Sequence, residues 1–141
     1  MSKCYVVSKY MLRNIKQYKQ YMNKSRILFW GGCVPARLLL IYIAYCLDHG
    51  CISSKFRNLF LVITTLFSLS FFYWYLSGDR QTGVETFGAP IWWNHLRPIH
   101  GAIYGAYTVL AFRGVKCAYL ALVVDLLIGI IAELSHTFNY I

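Results

Sequence analysis

The feature that most constrains this chain is a stretch from 59 to 76 that contains no charged residue. At about 1.5 Å per helical residue, such a segment spans close to the ~30 Å hydrocarbon thickness of a bilayer. Three further stretches, 27–47, 96–112 and 117–138, are similarly apolar. Hydrophobic residues make up 58% of the chain, more than a small soluble domain can bury. The sequence therefore predicts an all-α integral membrane protein with about four transmembrane helices in a compact bundle.

A basic N-terminal segment, 1–26, precedes the predicted bundle, which occupies 27–141. Apolar residues such as Val7 and Met11 recur at helical spacing, which predicts an amphipathic helix over 3–24. Half of the 14 basic residues and none of the five acids lie in this segment. We expect it to bind the anionic leaflet of a membrane rather than a specific nucleic acid sequence, and docking on a protein partner is the alternative. The residues assigned to membrane binding are Lys9, Arg13, Lys16, Lys19 and Lys24.

The distribution of basic residues predicts how the bundle is oriented. Four crossings place both termini on the same side, together with most of the positive charge. The positive-inside rule therefore predicts that both termini are cytoplasmic. The opposite side has only Lys55, Arg57, Arg113 and Lys116, whereas the N-terminal basic residues, Arg80 and Arg97 share the inner side.

Charged side chains within the predicted spans are the most informative positions, because a central charge costs about 2.5–3.5 kcal/mol to insert. Arg37 and Asp125 fall near the middle of the first and fourth spans, so we expect them to pair. His100 and Glu133 fall at a second common level and form another expected pair. These pairs are interpreted either as contacts that fix the packing of the helices or as a proton or ion path.

Small residues in the third span indicate close helix packing. Gly101 and Gly105 form a Gly-x-x-x-Gly pattern, which lets a neighbouring backbone approach, either within the bundle or in a homodimer. Cys46 and Cys51 flank the end of the first span, and a disulfide between them is left open.

Signatures of catalysis and metal binding are weak. Glu133-x-x-His136 supplies only part of the ligand set of a di-iron site. The Gly-rich phosphate loop and the Gly-x-Ser-x-Gly nucleophile motif are absent from the sequence. We therefore predict no cofactor, no metal and no enzymatic activity.

Two segments carry a resemblance to known proteins. They are Gly31-Gly32-Cys33-Val34-Pro35-Ala36-Arg37-Leu38-Leu39 and Trp93-Asn94-His95-Leu96-Arg97-Pro98-Ile99-His100-Gly101, the latter followed by Tyr104. Together they resemble small multi-span membrane proteins of large DNA viruses of algae and amoebae. The resemblance implies a virion-membrane component, such as a minor capsid protein that links the membrane to a protein shell, with other membrane or capsid proteins as partners. A small transporter or proton conductor, and an accessory subunit of a larger complex such as a respiratory assembly, are the alternatives.

Overall fold

The computed structural model describes residues 23–78 and 91–138, together with Gln20 and Thr82. The elements in these two ranges are helices, which confirms the predicted all-α fold for this part of the chain. The N-terminal helix predicted over 3–24 lies almost entirely outside the described residues, as do Lys9, Arg13, Lys16 and Lys19. The elements are a π-helical turn Phe29–Cys33, α1 Val34–Asp48, α2 Ser54–Ser77, a 3-10 turn Asn94–Leu96, α3 Arg97–Phe112 and α4 Tyr119–Phe138.

Three helical segments in these ranges are long and apolar enough to cross a membrane, namely Asn23–Asp48, Lys55–Ser77 and Tyr119–Phe138. Their outward side chains are strongly apolar; Leu66 is 57% exposed and Ile131 is 61% exposed. Exposed apolar surface on this scale favours a lipid environment. Because α3 has only 16 residues and is about 24 Å long, the predicted fourth crossing is not confirmed.

The first membrane-length segment stays helical through its glycines. Gly31, Gly32 and Pro35 lie within it, and the structure has a π-helical turn at Phe29–Cys33. Pro35 follows directly after this turn, inside the continuous helix, where it has no N–H to donate to the preceding turn. The π-helical turn therefore accommodates the glycines, and the segment remains helical from Asn23 to Asp48.

The helices pack in a row rather than a closed square. The main contacts join α2 to α3, α3 to α4, and α4 to α1. Each of these neighbours is antiparallel, so residues 23 and 138 lie at the same end of the molecule. The buried core draws on all four helices, with Ala44, Phe60, Tyr107 and Leu122 among its members.

The Gly-x-x-x-Gly pattern lies on the α2–α3 interface. A Cβ atom added to Gly101 would come within 3.0 Å of the Phe72 ring, and one added to Gly105 would lie 3.1 Å from Ser68 Oγ. Ser68 uses this proximity to donate a hydrogen bond of 2.7 Å to the backbone carbonyl of Gly101. The pattern therefore serves packing within the bundle.

Two arginines link α2 and α3 at opposite ends. Arg57, near the start of α2, donates to the carbonyl of Ala111 in the last turn of α3. Arg97, at the start of α3, donates to the carbonyl of Trp74 near the end of α2, at 3.4 Å. Carbonyls in a last turn lack helical partners, and positive charge there is favourable. Each helix thus supplies an arginine that donates a hydrogen bond to a backbone carbonyl near the end of the other helix.

The neighbouring helices α1 and α4 meet through a similar long-range cap. Asp48, the last residue of α1, accepts a hydrogen bond of 3.2 Å from the backbone N–H of Tyr119, the first residue of α4. The thiols of Cys46 and Cys51, close to this junction, are both free, although their backbones are joined by a 2.8 Å hydrogen bond. The structure therefore has no disulfide at this pair.

Candidate functional site

The strongest polar feature inside the bundle is the carboxylate of Asp125, whose side chain is 1% exposed. Arg37 Nη1 lies 3.4 Å from Asp125 Oδ2 and also donates to the Asp125 backbone carbonyl at 3.2 Å. His100 Nδ1 contacts the other carboxylate oxygen, Oδ1. One carboxylate therefore joins α1, α3 and α4. Arg37 and Asp125, the two charges expected to pair near the middle of the predicted spans, are close together in the structure.

Gly129 makes room for the arginine. It lies one turn after Asp125 on α4, on the same face of the helix. A Cβ atom at this position would collide with Arg37 Nη1 and lie 3.4 Å from its Cζ. Any larger residue at position 129 would require the guanidinium to shift from its present place against α4.

The expected pairing of His100 with Glu133 is replaced by the contact of His100 with Asp125. The reason is the position of α3 along its neighbour. About 20 Å of α4 extends from Asp125 to its end at Phe138, whereas only about 5 Å of α3 precedes His100. Because α3 begins deep inside the bundle, its first turn reaches Asp125 rather than the lower-lying Glu133.

Because α3 begins deep inside the bundle, it leaves space beside the last turns of α4. The residues just before α3 partly fill this space. Ile91 is buried, and the indole of Trp92 stacks on the imidazole of His136, with ring centroids 4.1 Å apart and planes 9° apart. The contact of Trp92 with the end of α4 is not among the contacts predicted from the sequence. Adjacent tryptophans ahead of an unusually short span are the signal for it.

A cavity of about 310 Å³ occupies the remaining space. Its polar walls are Ser25, Arg37, His100 and Glu133, and the other walls are mainly aromatic and aliphatic. The latter include Leu28, Phe29, Phe71, Trp92, Trp93 and Leu96.

Glu133 is the least satisfied of these polar groups. It is 5% exposed, yet its carboxylate receives no hydrogen bond or close ion pair from residues 23–78 or 91–138. Arg26 is within electrostatic range of Glu133 and of His136, but it does not line the cavity. Glu133 is thus a buried carboxylate at a cavity wall, with a cation only at a distance.

No set of three or more His, Cys, Asp or Glu side chains in the two described ranges is grouped as a metal site would require. In Glu133-x-x-His136, the histidine stacks on Trp92 and the glutamate faces the cavity. The site therefore offers a carboxylate, a guanidinium and an imidazole for electrostatic and hydrogen-bonding recognition within a largely apolar lining.

Comparison of the chain with protein-family models, curated proteins and solved structures finds no match.

Proposed function

We propose that this protein is a structural integral membrane protein whose polar residues fix the packing of its helices. The observation that carries the proposal is the sharing of Asp125 by Arg37 and His100, which joins polar side chains from three helices at a single level. A conducting path requires polar groups that continue from one side of the membrane to the other. Toward the opposite end of the bundle, the apolar side chains of Phe60, Ala118 and Leu122 are buried in the core.

Two features of the sequence, a resemblance and a basic N-terminal segment, support a proposal for the cellular setting. The resemblance of the segments around Arg37 and His100 to viral membrane proteins supports a place in a virion's internal membrane, linking that membrane to a protein shell. The basic N-terminal segment is suited to an anionic leaflet or to an acidic partner. In this proposal the protein is a scaffold, without a catalytic role.

A flux measurement tests the structural role. Purified protein in vesicles that contain a pH-sensitive dye is exposed to a potassium gradient with valinomycin, and proton entry is recorded. We expect entry equal to that of protein-free vesicles. Asp125→Asn should lower the melting temperature in detergent without altering the flux. Proton entry that requires Asp125 or Glu133 would instead establish the conducting alternative.

The orientation is the second testable part of the proposal. Residues 23 and 138 lie at the same end of the bundle, which supports placing both termini on one side, and the excess of basic residues favours the cytoplasmic side. Tags at the two ends, probed with protease in sealed vesicles, should both be cleaved from the cytoplasmic face. Cleavage of the two tags from opposite faces would mean that α3 does not complete a crossing.

A further inference from the structure

We propose that the cavity beside α4 binds the cationic head of an ammonium amphiphile, with Glu133 as its counter-charge. The carboxylate lines the cavity and lacks a close partner in the described part of the chain. Trp92 and Trp93 line the same cavity, with ring centroids 5.4 Å apart and planes 87° apart. Two perpendicular indoles beside a carboxylate resemble the aromatic surroundings in which proteins hold quaternary ammonium groups.

The charges around the cavity favour a cation over an anion. Arg37, the only arginine that lines the cavity in the described ranges, is already paired with Asp125 and bonded to its backbone carbonyl. Glu133 has no comparable partner, and Arg26 acts on it only from outside the lining. An ammonium ion in the cavity would therefore neutralise the one buried carboxylate that the helices leave without close compensation.

The remaining walls indicate that the ligand carries a hydrocarbon chain. Leu28, Phe29, Phe71 and Leu96 present apolar surface to the same cavity. The stacking of Trp92 on His136 orients one indole of this wall, and such preorganisation lowers the cost of binding a ligand. An amphiphile can bury its chain against these side chains while its head reaches Glu133.

Fluorescence titration of the full-length protein in neutral maltoside micelles tests this assignment. The probe is dodecyltrimethylammonium, and dodecyl sulfate is the comparison of equal chain length and opposite charge. We expect a saturable change in tryptophan emission with the ammonium probe alone. Glu133→Gln, which keeps the shape of the side chain, should weaken the apparent affinity by at least about tenfold. Circular dichroism and a thermal melt establish that this variant is folded.

Matched variants separate the aromatic contribution from general effects on fluorescence. Trp93→Phe should weaken binding, whereas Trp30→Phe, at a tryptophan that is 45% exposed and outside the cavity, should leave the affinity unchanged. An equal response to dodecyl sulfate, or an unchanged affinity in Glu133→Gln, would overturn the proposal. Tetramethylammonium identifies the source: weaker binding than the long-chain probe assigns the site to a membrane amphiphile, and equal binding assigns it to a free ammonium solute.

Discussion

Asp125→Leu is expected to lower the free energy of unfolding by about 3–5 kcal/mol, because it leaves the guanidinium of Arg37 inside the bundle without its counter-charge. Arg37→Leu should be damaging for the converse reason, since it leaves the Asp125 carboxylate to His100 alone. The double replacement by leucine should cost much less than the sum of the two, because both charges are then removed together. Equilibrium unfolding in mixed micelles, arranged as a double-mutant cycle, measures the coupling.

His100, which contacts the same carboxylate, provides a further test. His100→Gln should destabilise the protein when Asp125 is present, and should cost little more once Asp125 has been replaced by leucine. Strictly additive effects of the Arg37 and Asp125 changes would show that the two residues do not act as partners. A water-filled path would then become the better explanation of a buried aspartate.

Gly129→Ala should produce the second large effect, a loss of about 1–3 kcal/mol from overpacking. The new methyl group would occupy the space of Arg37 Nη1, so the guanidinium must leave either α4 or the carboxylate. The loss should shrink in an Arg37→Leu background, where the colliding atoms no longer exist. Thermal unfolding of the single and double variants, compared with wild type, gives the values.

Gly31→Ala is the matched control for this substitution. It is also a helical glycine, but an added Cβ would have no heavy atom of another residue within 4 Å beyond its immediate surroundings in the helix. Its replacement should be neutral or slightly stabilising, because alanine has the higher helix propensity. Equal losses at Gly129 and Gly31 would contradict the role assigned to Gly129.

The sequence predicts much of the helical layout because membrane helices must be long and apolar. Residues 59–76 fall within α2, and 96–112 differs from α3 by a single residue. The depth of a residue was harder to predict, because counting from a helix end assumes that every helix starts at the membrane surface. Since α3 starts deep, that assumption places His100 opposite Glu133, whereas the structure places it against Asp125.

The links between helix ends could not be predicted from local patterns. Cap rules search within a few residues of the helix end, and Ser53 at the start of α2 makes no side-chain cap. The carbonyl of Ala111 accepts from Arg57 in addition to the N–H of Gly114, and the N–H of Tyr119 donates to Asp48. Such rules also do not predict the cavity, because it forms where α4 extends beyond the start of α3.

The pairing of α1 with α4 has a consequence for biosynthesis. Helices α2, α3 and α4 follow one another in the chain and pack as sequential neighbours, so each can find its partner soon after it is made. Arg37 and Asp125 are 88 residues apart, so α1 must wait for its partner while the intervening chain is synthesised. At about 5–20 residues per second, that interval is roughly 4–18 s. During it, the nascent chain holds an arginine in the α1 segment without the acid that later pairs with it, so that segment carries the insertion cost of an uncompensated charge until α4 is made.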